Sequence, residues 1–366
     1  MPVVITLAIG LLGGFVFRKL HVTGAFMVGS ALFVAVAQLL SFEASMPQLL
    51  RTIAQLISGT VIGLGMNKGD LLQLPRLWKG FLVLMVGFFV INLLVGATIT
   101  LVSDMNPLTA YFGAVPGGIG FMPLLASEYG ADPGIVGMMG IFRLFIGIAV
   151  FPSMVHWFST KVIKQKDRTE VVERRAIADA KADQISVELM ESAIEEAEEK
   201  RKVPYFIGLP LIAVAALLAQ RYIGGLPLMI YAMLGSIALN LSVGMDKSPT
   251  FIKRVAQWLS GSYIGASFGM DKWQIVDELI LPILILLAFY GIGALLIGWF
   301  VHKAENFPIE DSCFCAIPAG ATDIALITEE LGINNPTISI YHALRASIIT
   351  SIFPLVIIEL VSLLYS

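Results

Sequence analysis

The chain has 366 residues, of which 57% are hydrophobic and only 14% are charged, whereas roughly 25% of the residues in ordinary soluble domains are charged. The formal net charge is −3, and ten basic and eleven acidic side chains are concentrated between Lys161 and Lys202. These values exclude a soluble globular domain and indicate a polytopic integral membrane protein.

The first half of the chain contains five apolar segments that are long enough to cross a bilayer, which takes about 20 residues of helix. They cover residues 2–17, 24–41, 47–66, 79–102 and 133–157. Arg18 and Lys19 follow the first segment, and no basic residue precedes it. We therefore expect a first helix whose C-terminal end lies in the cytoplasm, and not a cleaved signal peptide.

Residues 106–130, between the fourth and fifth segments, carry an interruption at Pro116, Gly117, Gly118 and Gly120. Proline and glycine break a regular helix, and irregular backbone at membrane depth is tolerated only where protein or a wet cavity surrounds it. Glycines also let the backbone approach a ligand closely. We therefore expect a re-entrant hairpin that contributes to a substrate site. Close helix packing through small residues is the structural alternative.

Residues 161–203 form a charged stretch that separates two membrane repeats, residues 1–160 and residues 204–366. Ile185 and Leu189 give this stretch a weak apolar stripe among acidic side chains. The composition predicts a helix-rich cytoplasmic linker. A docking or dimerisation helix is the alternative.

The second half repeats the first at a constant spacing of 202 residues: residues 54–63 return as 256–265, and 114–118 return as 316–320. Its apolar segments cover residues 204–222, 225–243, 252–269, 279–301 and 336–363. Its interruption, within residues 308–332, contains Pro318, Ala319, Gly320, Thr322 and Asp323. A repeat without gaps over so much apolar chain indicates a duplicated membrane unit, from which many transporters build a central site.

The basic residues predict how the two repeats sit in the membrane. If each repeat crosses five times and its interruption is re-entrant, the linker and most other basic residues are cytoplasmic and the N-terminus is outside. Full crossing by both interruptions would place the linker outside, against the positive-inside rule. We therefore expect an all-α, multi-pass protein with two inverted repeats, each of about five transmembrane helices and one re-entrant glycine/proline hairpin. The two hairpin tips would meet near the midplane.

Arg143 and Arg345 occupy equivalent positions near the middle of the last helix of each repeat. An arginine at the bilayer centre costs at least about 2.5–3.5 kcal/mol on insertion scales. We expect the two guanidinium groups to bind a carboxylate or a similar anion. The alternative is internal pairing, of Arg345 with Asp323 and of Arg143 with hairpin carbonyls.

Asp323 is the one carboxylate in the hairpin tips, and Thr322 precedes it. These two residues are the predicted site for a coupling ion, Na⁺ or H⁺, with a salt bridge from Asp323 to Arg345 as the alternative. Gln55 and Gln257 lie at equivalent positions on the third helix of each repeat. They are candidate substrate contacts, although such side chains more often form interhelical hydrogen bonds.

The sequence does not support an enzyme, a cofactor or a bound metal. Its four histidines are scattered without HxxxH or HExxH spacing, and Cys313-Phe314-Cys315 alone is a weak metal motif. No Walker lysine motif, no Ser-His-Asp arrangement and no basic, aromatic-rich surface for nucleic acid occurs. We therefore expect no catalytic residue, no cofactor and no nucleic-acid partner.

Together with Arg143 and Arg345, the two interruption motifs resemble those of the AbrB duplicated membrane-protein family over nearly the whole chain. That family is distinct from the small DNA-binding proteins of the same name, and it has been labelled both a putative ammonia monooxygenase and a regulator of gene expression. Its members usually carry an acidic residue shortly after Pro-Gly-Gly. Here Phe121 precedes Met122 in the first copy, and the acid occurs only in the second, as Asp323.

The architecture is also similar to citrate- and glutamate-type secondary transporters, whose glycine-rich hairpins frame the substrate site. We therefore expect a bacterial inner-membrane transporter of a small anionic organic solute, coupled to Na⁺ or H⁺. The substrate would lie between residues 116–122 and 318–324, and residues 24–41 and 225–243 would belong to a scaffold, compatible with a homodimer. The alternative is a membrane-embedded sensor that influences gene expression through the linker.

Overall fold

The computed structural model describes residues 2–20, 24–40, 42–65, 68–118, 121–159, 202–224, 226–268, 273–319, 324, 328, 333 and 336–365. Residues 161–201 of the predicted linker, which covers residues 161–203, lie outside these ranges. The described part of the chain is helical, and an isolated bridge between Val203 and Met245 is its sole β-type pairing. The predicted all-α class is confirmed.

The helices coincide closely with the apolar segments of the sequence. In chain order they are α1 (Pro2–Lys19), α2 (Ala25–Leu39), α3 (Gln48–Leu64), α4 (Lys68–Val102), α5 (Pro107–Ala114), α6 (Met122–Ala126), α7 (Pro133–Ala149), α8 (Phe151–Trp157), α9 (Tyr205–Tyr222), α10 (Leu228–Ser242), α11 (Thr250–Ala266), α12 (Trp273–Glu305), α13 (Ile309–Cys315) and α14 (Pro336–Tyr365). A short 3₁₀ turn, Ser127–Tyr129, follows α6. The largest differences from the sequence-based bounds are the longer α4 and α12.

The segment predicted at 133–157 is not one straight helix. It divides into α7 and α8, whose axes differ by 45°. Pro152 explains the break, because proline lacks an N–H group and its ring clashes with the carbonyl four residues earlier. The equivalent Pro354 lies inside α14, which bends by 40° between Ile340–Thr350 and Ile352–Tyr365. The kink is therefore duplicated with the sequence.

Several helices are long and apolar enough to cross a membrane. Within the described residues there are four by length and composition, Pro2–Lys19, Leu77–Val102, Tyr205–Tyr222 and Leu279–Glu305, or up to six if each bent pair counts as one span. Large apolar side chains such as Leu82, Val86 and Val90 face outwards from α4. Water would not favour such a face, whereas lipid does. The chain is a multi-pass membrane protein.

The helices pack into two bundles, and each bundle takes helices from both halves of the chain. We call α1–α3 with α9–α11 the glycine-packed bundle, and α4–α8 with α12–α14 the break-containing bundle. In the first, α2 packs against α11 and α3 against α10; in the second, the long helices α4 and α12 pack against each other. The main described contacts between the bundles are made by α11 against α6 and α7. They are less extensive than the contacts between helices inside each bundle.

Helix contacts follow the same repeat as the sequence. The packing of α1 on α2 corresponds to that of α9 on α10, and the packing of α4 on α5 corresponds to that of α12 on α13. Helix α2 of the first half packs against α11 of the second half, and α10 of the second half packs against α3 of the first half. The two halves therefore interlock, and neither forms a bundle by itself.

Glycines allow these exchanged helices to approach closely. A Cβ atom on Gly59 of α3 would lie 2.3 Å from the Met229 carbonyl oxygen of α10. A Cβ on Gly261 of α11 would lie 2.3 Å from the Met27 carbonyl oxygen of α2. Both separations are too short for any side chain, so the backbones touch directly, as in other membrane helix pairs with small residues at the interface.

Candidate functional site

The first interruption separates two short helices and leaves backbone groups without helical partners. Asn106 caps the N-terminus of helix α5, because its Oδ1 accepts a hydrogen bond of 2.9 Å from Leu108 N. The helix ends before the extended Val115 (φ −58°, ψ 124°). The next helix, α6, begins at Met122. Between them, a Cβ atom on Gly118 would lie 2.5 Å from the Phe121 ring, so the turn has room only for glycine at this position. Because α5 ends here, its last backbone carbonyls have no partners within the helix and need donors from elsewhere.

The second interruption follows α13 in the same way. Ala319 N donates to Ile317 O at 2.9 Å, and both Pro318 and Ala319 are buried. The remaining predicted residues of this turn, Gly320, Thr322 and Asp323, lie outside the described residues, as does Gly120 of the first turn. The ion-site prediction therefore stays a prediction.

Arg143 projects from α7 onto the carbonyls of the first interruption. Its side chain is 3% exposed. Nη1 donates to Val115 O at 2.6 Å, and Nη2 donates to Gly117 O at 3.2 Å. The predicted alternative for this residue, pairing with carbonyls of the hairpin, is confirmed.

Arg345 makes the same contacts in the second copy. Nη1 donates to Ile317 O at 2.6 Å, and Nη2 donates to Ala319 O at 2.7 Å. Its guanidinium carbon lies 5.1 Å from the centre of the Phe88 ring, a cation–π contact. Each guanidinium thus supplies the donors that a broken helix lacks. Five N–H groups are present in each guanidinium, so these bonds leave donors available to a ligand.

The two interruptions and both arginines line one cavity of about 280 Å³. Helices of both bundles contribute to its wall. Residues 116–118, Phe121, Gly140, Arg143, Leu144, Pro318, Ala319, His342, Arg345 and Ala346 come from the break-containing bundle, and Gly24, Met27, Val61, Lys253, Ala256, Gln257 and Ser260 come from the glycine-packed bundle or its entry turn. The structure therefore brings the two predicted hairpin motifs together at a boundary between bundles.

The charge of this cavity is positive among the residues that the structure describes. Arg143, Arg345 and Lys253 line it, and no described acidic side chain does. Neither guanidinium forms an ion pair with a described residue. Coulomb interactions are strong in a site with little water, so two buried guanidinium groups favour an anion in the space between them.

The two predicted glutamines do not occupy matching environments. Gln257 lines the cavity. Gln55 is also buried, but its Nε2 donates to the Glu128 carboxylate, and Gln55 is not among the residues that line the cavity. Gln55 therefore connects α3 to the turn after α6, an interhelical role that was the alternative from the sequence.

Glu128 is the acidic end of this connection. It lies in the 3₁₀ turn, outside the spanning helices. Burial raises the pKa of Glu128 above its ordinary value, while Arg51 and a hydrogen bond with the Leu228 backbone oppose the shift. The carboxylate therefore touches both bundles, through its own turn and through α3 and α10.

Three titratable residues at the site are not predicted from the sequence: Lys253, His342 and Tyr290. Lys253 and His342 line the cavity, and Tyr290 Oη donates to Ala114 O at 2.6 Å from α12. Their spacing along the chain gives no motif. One signal does exist, because the position equivalent to His342 in the first repeat is Gly140. A polar residue in one copy and a glycine in the other marks a point where the two repeats have diverged.

Comparison with known proteins shows that one family model matches each half of the chain and that the chain is similar to a bacterial protein. The chain matches the family described as "Transition state regulatory protein AbrB" over residues 1–159 and again over residues 176–362. It is also similar to "Uncharacterized protein YhjN" of Bacillus subtilis (strain 168), with 20% identity over 311 residues, which cover 82% of this chain and 76% of that protein. Both matched family segments coincide with the two halves that interlock in the fold.

Proposed function

Because the chain belongs to the AbrB family and is a multi-pass helical protein, we propose that it is a secondary transporter of a small organic anion in a bacterial inner membrane. The substrate class is carboxylates that fit a cavity of about 280 Å³. Transport would be coupled to Na⁺ or H⁺.

One observation carries the proposal: two helix breaks and two buried guanidinium groups face one cavity without a described carboxylate. A purely structural arginine would also cap carbonyls, and both arginines do so. Capping alone, however, needs neither a shared cavity nor two cations that repel each other across it. An anion between them offsets that repulsion, which is a physical reason for the arrangement.

Movement between the two bundles would give alternating access. The cavity lies at their boundary. The described helices make fewer contacts across that boundary than inside each bundle. In the proposed cycle, the break-containing bundle carries the anion past the glycine-packed bundle, which acts as the scaffold and as the interface of a homodimer. Sliding of whole bundles preserves their internal packing and is a common mode of domain motion.

The proposed topology has two inverted repeats of five crossings and one re-entrant hairpin each, with the N-terminus outside and residues 161–203 in the cytoplasm. Basic residues support it through the positive-inside rule. Single cysteines near Asp179 and near Arg221, in a protein with Cys313 and Cys315 replaced by alanine, test it. An impermeant maleimide should label the second position from outside and the first only after permeabilisation. Labelling near Asp179 in intact cells would reject the topology.

Asp323 and Thr322 are the proposed ligands of the coupling ion. A carboxylate and a hydroxyl oxygen suit Na⁺, and a buried carboxylate also suits a proton. We expect Asp323→Asn to abolish ion-driven uptake in proteoliposomes while leaving ion-independent exchange. Uptake with an unchanged dependence on Na⁺ and pH would remove Asp323 from the mechanism.

The anion site is tested by a thermal-stability screen of the purified full chain against mono-, di- and tricarboxylates, each with and without Na⁺. A ligand at 100 times its Kd stabilises the folded state by about 2.7 kcal/mol. We expect stabilisation by at least one carboxylate. Arg143→Lys and Arg345→Lys should weaken it, because an ammonium group cannot bridge two partners as a guanidinium does.

Arg221→Lys is the matched control, since Arg221 is an exposed residue at the end of α9. It should bind the same ligand with unchanged affinity. Absence of any carboxylate binding by the wild-type protein, with an intact unfolding transition, would overturn the transporter proposal.

A sensor that acts through its linker is the second candidate, favoured by the words "regulatory protein" in the description of the matching family. Deletion of residues 165–200 separates the two functions. A transporter should retain uptake after the deletion, whereas a signalling protein should lose its effect on gene expression. Loss of expression changes with uptake retained would show that both activities exist in one chain.

A further inference from the structure

The cavity is a wedge between α7 and α11 that closes where these two helices touch. A Cβ atom on Gly137 of α7 would lie 2.7 Å from Ile264 Cγ2 of α11, and a Cβ atom on Gly134 would lie 2.8 Å from the Phe268 ring. The later glycine meets the earlier partner, so the two helices run antiparallel. The cavity residues of α7 begin about one turn beyond this contact.

Three polar side chains of α11 form a line along the cavity wall. Lys253, Gln257 and Ser260 all line the cavity, and separations of four and three residues place them on one face of the helix. Lys253 is exposed, Gln257 is half-buried and Ser260 is buried. The cavity therefore opens at Lys253 and deepens towards Ser260, over about 10 Å of helix at a rise of 1.5 Å per residue.

The antiparallel contact also gives the level of Arg143. Six residues beyond the contact of Gly137, α7 reaches Arg143, and α11, running the other way, reaches Trp258. Lys253 therefore lies roughly 7 Å of helix rise beyond Arg143 towards the opening. Arg143 and Arg345 are buried, whereas Lys253 is exposed. The cavity thus has a deep cationic end and a shallow one.

The two cationic ends belong to different bundles. Both arginines are in the break-containing bundle, and Lys253 is on α11 of the glycine-packed bundle. Hydrogen bonds to the interruption carbonyls fix the two guanidinium groups, so these groups do not extend towards Lys253. The Lys253 ammonium group, in turn, is best hydrated at the open end. Two anionic groups on one ligand can pair with both ends at once.

We propose that the substrate is a short dicarboxylate, with one carboxylate bound at Arg143 and Arg345 and the other bound to Lys253. The inference rests on the proposed anion transport and names its substrate class. A monocarboxylate would occupy the deep end and would leave the Lys253 ammonium group paired with water. Lys253 is thus the residue that distinguishes dianions from monoanions.

In this arrangement the substrate connects the two bundles. When the break-containing bundle slides, it carries the arginines and the first carboxylate away from Lys253, which stays with the scaffold. The second carboxylate then loses its partner. The affinity for the dianion therefore falls as the bundle moves, which favours release on the other side of the membrane.

Matched ligands test the inference with the purified full chain at neutral pH: succinate against succinamate, and glutarate against glutaramate. Within each pair an amide replaces one carboxylate, so the two ligands keep their length and differ by one charge. We expect the wild-type protein to bind at least one dicarboxylate about fivefold more tightly than its amide, as an exposed ion pair provides. Isothermal titration measures the ratio.

Variants of Lys253 separate its charge from its packing. In Lys253→Gln the ratio should fall to about twofold, the factor that remains because a symmetric diacid can bind by either end, and the amide should bind with unchanged affinity. Lys253→Arg keeps the charge and should keep the preference. Lys247→Gln is the matched control, because Lys247 is exposed and is not among the residues that line the cavity. It should leave the ratio unchanged.

The outcomes distinguish the two proposals. Equal binding of each dicarboxylate and its amide by the wild-type protein would overturn the dicarboxylate inference and leave anion transport standing. A preference that persists in Lys253→Gln would do the same, because Lys253 would then serve only the membrane surface. Binding of monocarboxylates alone would also reject a dianionic substrate. Binding of no carboxylate by a folded protein would overturn both proposals together.

Discussion

At the scale of single residues, the two arginines are understood through the carbonyls that they satisfy. A helix break in a membrane leaves backbone oxygens without partners, and lipid offers none. Arg143 on α7 and Arg345 on α14 donate to these oxygens from a later helix of the same repeat. The charge that remains on each guanidinium is directed to the shared cavity. Structural and binding roles therefore belong to one side chain.

Replacement of Arg345 by methionine should strongly destabilise the fold. The change keeps an unbranched stem but leaves the carbonyls of Ile317 and Ala319 without their donors. We expect a loss of about 2–4 kcal/mol in the free energy of unfolding, because two buried acceptors lose charged partners. Unfolding in mixed micelles measures it. Arg221→Met, at an exposed position, should change the free energy by less than about 0.5 kcal/mol.

Glu128 predicts a dependence of stability on pH. Since burial raises its pKa in the folded protein above the ordinary value of 4.5, the folded state holds the proton more tightly than the unfolded state. Stability from this group is complete below pH 4.5 and is lost as the pH rises through the raised pKa. Glu128→Gln keeps an acceptor for Gln55 and should remove this component. Above the raised pKa, we expect the melting temperature of Glu128→Gln to exceed that of the wild type, and to change less with pH. Parallel curves of melting temperature against pH for the two proteins would contradict the assignment.

At the scale of helices, the conspicuous repeat at residues 54–63 and 256–265 is explained by packing as much as by polarity. Two positions of the repeat hold glycine in both copies: Gly59 corresponds to Gly261, and Gly63 corresponds to Gly265. In each copy these glycines touch the backbone of a helix from the other half. The glycines of this motif therefore determine which helices interlock.

Gly261→Ala should therefore separate two helices. A Cβ atom at this position would lie 2.3 Å from the Met27 carbonyl oxygen, and a backbone atom cannot rotate away. We expect a loss of about 1–3 kcal/mol, as for other overpacked sites. Gly235→Ala in α10 is the control, because its nearest neighbour would be Ile212 Cγ2 at 3.6 Å. That change should stabilise the protein by about 0.5–1 kcal/mol. Melting temperatures that shift in the same direction would contradict the packing argument.

At the scale of the whole molecule, the division into two bundles makes the proposed motion testable. Gly137 of α7 and Ile264 of α11 lie on opposite sides of the boundary, and a Cβ on Gly137 would lie 2.7 Å from Ile264 Cγ2. Cysteines at these two positions, in a protein with Cys313 and Cys315 replaced by alanine, should form a disulfide. Oxidation should stop uptake without abolishing ligand binding, and a reductant should restore uptake.

A disulfide inside one bundle provides the control for this experiment. A Cβ on Gly87 of α4 would lie 3.7 Å from Ile297 Cβ of α12, within the usual Cβ separation of about 3.5–4.5 Å for disulfides. Both helices belong to the break-containing bundle, so the cross-link should leave uptake intact. Uptake that survives the cross-link between bundles would exclude sliding of one bundle against the other.

The sequence by itself determined the class of the protein and the position of its helices, because lipid requires long apolar helices and the duplication doubles every signal. It also identified the two interruptions and the two arginines, since proline, glycine and buried charge are expensive at membrane depth and therefore conspicuous. Only the tertiary structure decided that Arg143 and Arg345 cap carbonyls, that Gln55 turns to Glu128 while Gln257 faces the cavity, and that His342 belongs to the site. These contacts join residues far apart in the chain, often from opposite repeats, and spacing along a sequence carries no information on which side chains converge once interlocked helices pack.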